Sequence, residues 1–130
     1  LGDVYKRQPL ILVAEDDDSN FKLIKAIIGK KCDIQWAKNG EEIVALFKEY
    51  GNEAKAILMD IKMPVMNGLD ATKIIRGENK EIPIIMQTAY AFSSDKENAM
   101  NAGASEVLVK PITLSILRGT LTKYFPELVW

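Results

Sequence analysis

Histidine is absent from this 130-residue chain. That excludes a Ser-His-Asp triad, a histidine-ligated zinc and any phosphohistidine made within the chain itself. Cysteine occurs once, at Cys32, so no internal disulfide forms; the lone thiol fits a reducing compartment, and its place beside an expected strand gives it a packing role. No apolar run approaches the roughly 20 residues of a membrane span, and no secretory leader pattern is visible. An excess of charge is missing too: the net charge of −1 gives no drive toward nucleic acid or an anionic membrane, and neither contact is expected of this chain. What is present is a globular composition, 48% hydrophobic and 27% charged, far from that of a disordered segment. A single domain of this length buries roughly two thirds of its unfolded surface without a disulfide or metal staple.

The stretch from Ala56 to Pro64 organises the rest. Ala56-Ile57-Leu58-Met59 runs into Asp60, and Met63-Pro64 and Asn67-Gly68 then supply turn chemistry leading into a helix. Short apolar runs bounded by turn residues read as buried strands of a parallel sheet. Leu10 to Ala14, Asp33 to Ala37, Ile84 to Gln87 and Ser105 to Val109 are the other strands. Between and after them lie helical patterns. Asp18 or Ser19 is expected to cap the first, with Phe21, Ile24, Ile27 and Ile28 as its apolar face. Asn39 with Glu42 reads as a capping box for the second, which stops at Gly51. The third runs from about Gly68 to Arg76, Ser94 with Glu97 reads as a capping box for the fourth, and Thr113 caps the fifth, whose apolar positions include Leu114, Ile116, Leu117, Leu121 and Phe125. Strand and helix alternate five times, which implies a parallel sheet covered by helices on both faces through right-handed crossovers.

Parallel strands deliver their carboxyl ends to one edge, where open α/β sheets bind ligands. Glu15 and Asp16 follow the first strand, Asp60 the third, Thr88 the fourth and Lys110 the fifth. Taken singly, each has a structural alternative: an acid after a strand is also a turn former or helix cap, Asp17 and Asp18 read as caps, and Lys110-Pro111 reads as a surface turn. Together they converge. Two like charges about 5 Å apart cost roughly 3 kcal/mol at an effective dielectric near 20. One lysine cannot neutralise three acids, whereas a divalent cation can, and an all-oxygen donor set favours Mg²⁺ over zinc.

From Leu10 to about Phe125 the chain resembles a receiver domain of a two-component response regulator. The matching pieces are Glu15-Asp16, Asp60 within Met59-Asp60-Ile61-Lys62-Met63-Pro64, Asn67-Gly68, Thr88-Ala89, Gly103-Ala104 and Lys110-Pro111. The resemblance implies a flavodoxin-like three-layer (βα)5 fold with strand order 2-1-3-4-5. It implies residues 9–126 as the receiver, 1–8 as leader or linker and 127–130 as tail. It implies a phosphoacceptor rather than an enzyme: Asp60 takes a phosphoryl group from a phosphohistidine of a histidine kinase or histidine phosphotransfer domain. Mg²⁺ is then held by Glu15, Asp16, Asp60 and the backbone carbonyl of Lys62. Lys110 pairs with Asp60 and then with its phosphate, Thr88 with Ala89 forms the phosphate-binding switch, and the bond before Pro111 is cis. Lys62 and Tyr90 are the implied modulators of phosphate lifetime. A receiver homodimer is a further implied partner, and the cytoplasm the implied location, in a parent protein that can carry a membrane anchor.

Two departures sharpen the expectation. Many receivers carry an aromatic residue three positions before the lysine, where this chain has Val107; a valine has no ring to swing, so activation is expected to remodel the loop from Tyr90 to Ser94 and the adjoining helix. The wording from Asp60 to Thr72 resembles receivers of hybrid histidine kinases, and Leu1 to Gln8 do not resemble a native start, so the chain reads as one domain of a larger sensor. Two rivals fit less well. An aspartyl phosphohydrolase needs a second acid two residues after its nucleophile, where Lys62 stands, and the four acids from Glu15 to Asp18 would repel the phosphate of a flavin.

Overall fold

The apolar runs form β1 (Leu10–Ala14), β2 (Asp33–Ala37), β3 (Ala54–Asp60), β4 (Ile84–Thr88) and β5 (Glu106–Val109). The periodic segments form α1 (Asp18–Ile28), α2 (Gly40–Tyr50), α3 (Gly68–Glu78), α4 (Asp95–Ala102) and α5 (Leu114–Tyr124). The structure is a computed structural model and describes residues 8–90 and 94–130. All strand pairs are parallel and the order is β2-β1-β3-β4-β5, the flavodoxin-like arrangement expected from the sequence.

Side chains alternate across a strand with a period of two, and the sheet accordingly carries two cores. Leu12, Ala14, Ile57, Met59, Ile84 and Met86 face α2, α3 and α4 through Ile43, Phe47, Ala71, Ile75 and Ala99. Ile11, Val13, Ala56, Leu58 and Ile85 face α1 and α5 through Ile24, Ile27, Ile28, Leu117 and Leu121. Cys32 is buried in the second core, and burial pushes its thiol up to about 11, so it is an inert packing group.

Several local expectations need correction. Of the three cap candidates Asp17, Asp18 and Ser19, Asp17 caps α1: its carboxylate accepts from the Asn20 N–H at 3.0 Å, and the other two stand within the helix. Ser94 precedes α4 in helical conformation, and its side chain makes no capping bond; a cap needs extended backbone to aim its oxygen at the first turn. Gly51 ends α2 in ordinary right-handed conformation rather than as a left-handed stop. On α5 only Leu117 and Leu121 of the apolar set are fully buried, while Leu114 and Ile116 remain 49% and 46% exposed, because a helix lying on a sheet buries one stripe. The caps at Asn39, Asn67 and Thr113 all accept from the N–H three residues on. Glu42 turns its carboxylate back to the Lys38 N–H at 3.0 Å, one residue before the usual capping-box target.

Candidate functional site

Alternation also decides which strand-end side chains meet. Glu15 and Asp60 continue the parity of Ile11, Val13, Ala56 and Leu58 and so lie on the α1/α5 side. Thr88 continues Ile84 and Met86 and lies on the α4 side. Lys110 extends the β4–β5 pairing by one bond, its N–H donating to the Thr88 carbonyl at 2.8 Å, and the Lys110-Pro111 peptide is cis. Its ammonium stands 2.9 Å from Asp60 Oδ2 and 3.4 Å from Glu15 Oε1. Oxygens of Glu15, Asp16 and Asp60 all fall within 4.8 Å of one another, with Glu15 and Asp60 buried and Asp16 exposed.

The electrostatics of this cluster are unbalanced. Glu15 is fully enclosed, and its Oε2 is a buried oxygen with no hydrogen-bond partner among the described residues. Burial, then the neighbouring Asp60 carboxyl, push Glu15 up from 4.5 to about 8, against the pull of Lys110. Burial lowers the proton affinity of Lys110, but the hydrogen bond and charge of Asp60, with those of Glu15, raise it overall. Three oxygen donors, one of them orphaned in the interior, suit a hard divalent cation.

The β3–α3 loop frames the site from below. Val65 adopts φ 68°, a left-handed conformation costly for a β-branched residue, inside a tight turn closed by the Met66 N–H and the Pro64 carbonyl at 2.7 Å. Gly68 then begins α3 directly against the Asp60 carbonyl, where a Cβ would collide with it. Lys62 and Tyr90 are both exposed and paired with each other, the ammonium 4.5 Å from the ring centroid. Ala89 is exposed beside them. Thr88 is buried but does not meet Asp60: its hydroxyl donates to Asp95 Oδ2 at 3.3 Å and accepts from the Tyr90 N–H at 3.1 Å. Of the expected switch loop, residues 91–93 lie outside the described residues. Two neighbours escaped the sequence reading. Asp95 resembles any helix-start acid, and Trp36 resembles any strand aromatic, although its indole N–H donates to the Glu15 carbonyl at 2.8 Å.

Fold and site together define a flavodoxin-like domain built around an acidic, lysine-paired aspartate at the sheet edge. Comparison with known proteins makes this specific. Residues 11–122 match the family model described as the response regulator receiver domain, and the chain belongs to that family. It is 41% identical over 129 residues to Hybrid signal transduction histidine kinase I of Dictyostelium discoideum, a match covering 90% of this chain and 7% of that protein. Among solved structures it resembles the receiver domain of a Pseudomonas aeruginosa sensor histidine kinase with a magnesium ion coordinated in the active site cleft (TM-score 0.84, 32% identity, 92% of this chain and 99% of that one). It also resembles a Saccharomyces cerevisiae complex of the phosphotransfer protein Ypd1 with the receiver domain of its downstream response regulator Ssk1 (TM-score 0.84, 28% identity, 95% and 94% covered). The chain is thus a receiver domain of two-component signalling. No helix among the described residues is long and apolar enough to cross a membrane.

Proposed function

We propose that Asp60 accepts a phosphoryl group from a phosphohistidine on a histidine kinase or histidine phosphotransfer domain, and that residues 9–126 are the receiver unit of a cytoplasmic hybrid-kinase phosphorelay. The observation that carries this reading is the Asp60 carboxylate, buried at the end of β3, 2.9 Å from the Lys110 ammonium and flanked by Glu15 and Asp16. An Asp60 oxygen attacks phosphorus as the N–P bond breaks, and that bond's electron pair goes to the imidazole nitrogen. A carboxylate nucleophile has no proton to lose and needs no general base. Glu15, Asp16, Asp60 and the Lys62 carbonyl would hold Mg²⁺, which when bound neutralises charge on the transferred group. Lys110 exchanges a carboxylate partner for a phosphoryl oxygen, and the new group adds nearly two negative charges at the sheet edge.

Thr88 leaves Asp95 and turns toward the phosphoryl oxygens, with Ala89 beside it, and the loop from Tyr90 to Ser94 follows. Lys62 and Tyr90 set the access of water and so the lifetime of the acyl phosphate. The domain takes up and loses its own phosphate and acts on no separate substrate. Exposed Met100, Val109, Leu114 and Ile116 on α4, β5 and α5 support self-association of two receivers as a response. Intact-mass measurement after incubation with acetyl phosphate and Mg²⁺ tests the core of this: one added phosphoryl group on the parent chain and none on Asp60→Asn. A parent chain that gains no mass overturns it.

A further inference from the structure

Trp36 belongs to β2, outside the acidic cluster, yet β2 grips the first residue of that cluster at both of its backbone polar groups. The Glu15 N–H donates to the Ala37 carbonyl at 2.9 Å, and the Glu15 carbonyl accepts from the Trp36 indole N–H at 2.8 Å. That carbonyl is the oxygen of the peptide joining Glu15 to Asp16, the two acids whose side-chain oxygens meet Asp60. The indole is itself fixed. Phe21 of α1 stacks on it in parallel at a centroid distance of 3.9 Å, and the Lys38 ammonium stands 4.8 Å from its centroid while pairing with Asp18 at 3.4 Å. The half-buried ring directs its one donor at a carbonyl beyond the end of β1, so satisfying the indole also ties down the Glu15-Asp16 peptide.

We propose that Trp36 is a positioning residue for the cation site: its indole N–H fixes the Glu15-Asp16 peptide plane and thereby presents both carboxylates at one point. The inference rests on reading Glu15, Asp16 and Asp60 as a divalent-cation site. A backbone carbonyl released from its donor lets the peptide rotate, so the cation would have to order the loop on binding, and affinity falls. The same bond makes the indole a reporter of the site.

The test uses Trp130→Phe as parent, which leaves Trp36 as the only tryptophan of the two in the chain. Mn²⁺, an ion that also prefers oxygen donors, is titrated with detection by electron paramagnetic resonance, and Mg²⁺ is titrated against tryptophan emission. Saturable Mn²⁺ uptake and a saturable emission change are expected of the parent. Adding Trp36→Phe, which keeps a ring on Phe21 but removes the N–H, should weaken Mn²⁺ about fivefold, the worth of one such hydrogen bond. Should Trp36→Phe loosen the fold, benzothienylalanine at position 36 keeps the indole shape with sulfur in place of N–H and should give the same loss. Mn²⁺ affinity within about twofold of the parent in the benzothienyl protein overturns the inference while leaving the cation site intact. A parent that takes up no Mn²⁺ overturns the cation reading and this inference with it.

Discussion

Replacing Glu15 by glutamine should make the metal-free protein more stable in alkali and leave it unchanged in acid. Glu15 has no exposed surface, one of its oxygens has no hydrogen-bond partner among the described residues, and the other shares Lys110 with Asp60. Burial first, and Asp60 second, raise its carboxyl from 4.5 to about 8. An acid that holds its proton more tightly when folded contributes stability that is fully present below about 4.5 and is lost as the pH climbs through about 8. Each tenfold change in proton affinity is worth about 1.4 kcal/mol, so the displacement sets a ceiling of roughly 5 kcal/mol on the cost of the ionised carboxylate. Water entering the opened site, and the loss of the Glu15–Lys110 attraction in the variant, reduce this to an expected gain of about 1–2 kcal/mol.

Thermal unfolding in chelator reads that gain as roughly 3–8 °C at about pH 9, shrinking through about pH 5 and vanishing near about pH 4, where the carboxyl is protonated in the folded and unfolded chain alike and matches the amide. Mg²⁺ should reverse the order, because a ligand bound only by the folded state stabilises in proportion to its affinity and the variant has lost a charged donor. A variant no more stable than the parent at about pH 9, or one whose advantage is the same at about pH 5, refutes the electrostatic account of Glu15.

Gly68→Ala places a Cβ against the Asp60 carbonyl, 2.9 Å from Met59 Cγ and 3.0 Å from Met86 Cε; a loss of about 2–3 kcal/mol in urea unfolding is expected, and a neutral result would show that α3 slides freely past β3. Tyr90→Ala removes the ring beneath the Lys62 ammonium and should change the acyl-phosphate half-life by about twofold or more, as access of water to a buried electrophile governs its hydrolysis; an unchanged half-life removes Tyr90 from the modulator role. Asp95→Ala deprives the Thr88 hydroxyl of its acceptor, so beryllofluoride should bind about fivefold more tightly by calorimetry, and equal or weaker binding counts against a Thr88 held away from Asp60.

Most of the fold was legible because its signals are redundant. Leu10 to Ala14 and Ala56 to Met59 are apolar on both faces, as strands covered on two sides must be, and Asn39, Asn67 and Thr113 mark helix starts by side-chain chemistry that acts within three residues. The acids and the lysine were legible for the same reason: parallel strands carry their ends to one edge whatever the packing detail. The misses fall where local chemistry offers equivalent choices. Asp17, Asp18 and Ser19 are all competent caps, and Asp17 is the one whose backbone is extended, with the helix beginning at Asp18. The apolar positions of α5 are spread wider than the stripe that one sheet face can cover, so their pattern did not separate the buried Leu117 and Leu121 from Leu114 and Ile116, which stay exposed. Trp36 and Asp95 act through single hydrogen bonds across elements distant in sequence, and no periodicity encodes those.

The strand parity that unites Glu15 and Asp60 also separates Thr88 from them, and this gives the switch its physical form. Thr88 sits beneath α4 with its hydroxyl bonded to Asp95 and to the N–H of Tyr90. Turning it toward a phosphoryl group must break both bonds at once, one to the first turn of α4 and one to the start of the loop that precedes it. Val107 lies on β5 opposite Met86, partly buried against the α4-side core, and offers no ring whose rotation could carry the message. On the proposed role of Thr88, release of Asp95 and of the Tyr90 amide would carry charge at Asp60 to α4 directly. A phosphoryl group offers the Thr88 hydroxyl a more highly charged acceptor, so one long charge-assisted bond to Asp95, 3.3 Å, would be exchanged for another while the Tyr90 N–H loses its acceptor. An exchange of one acceptor for another is the form of a two-state element that a single added group can tip.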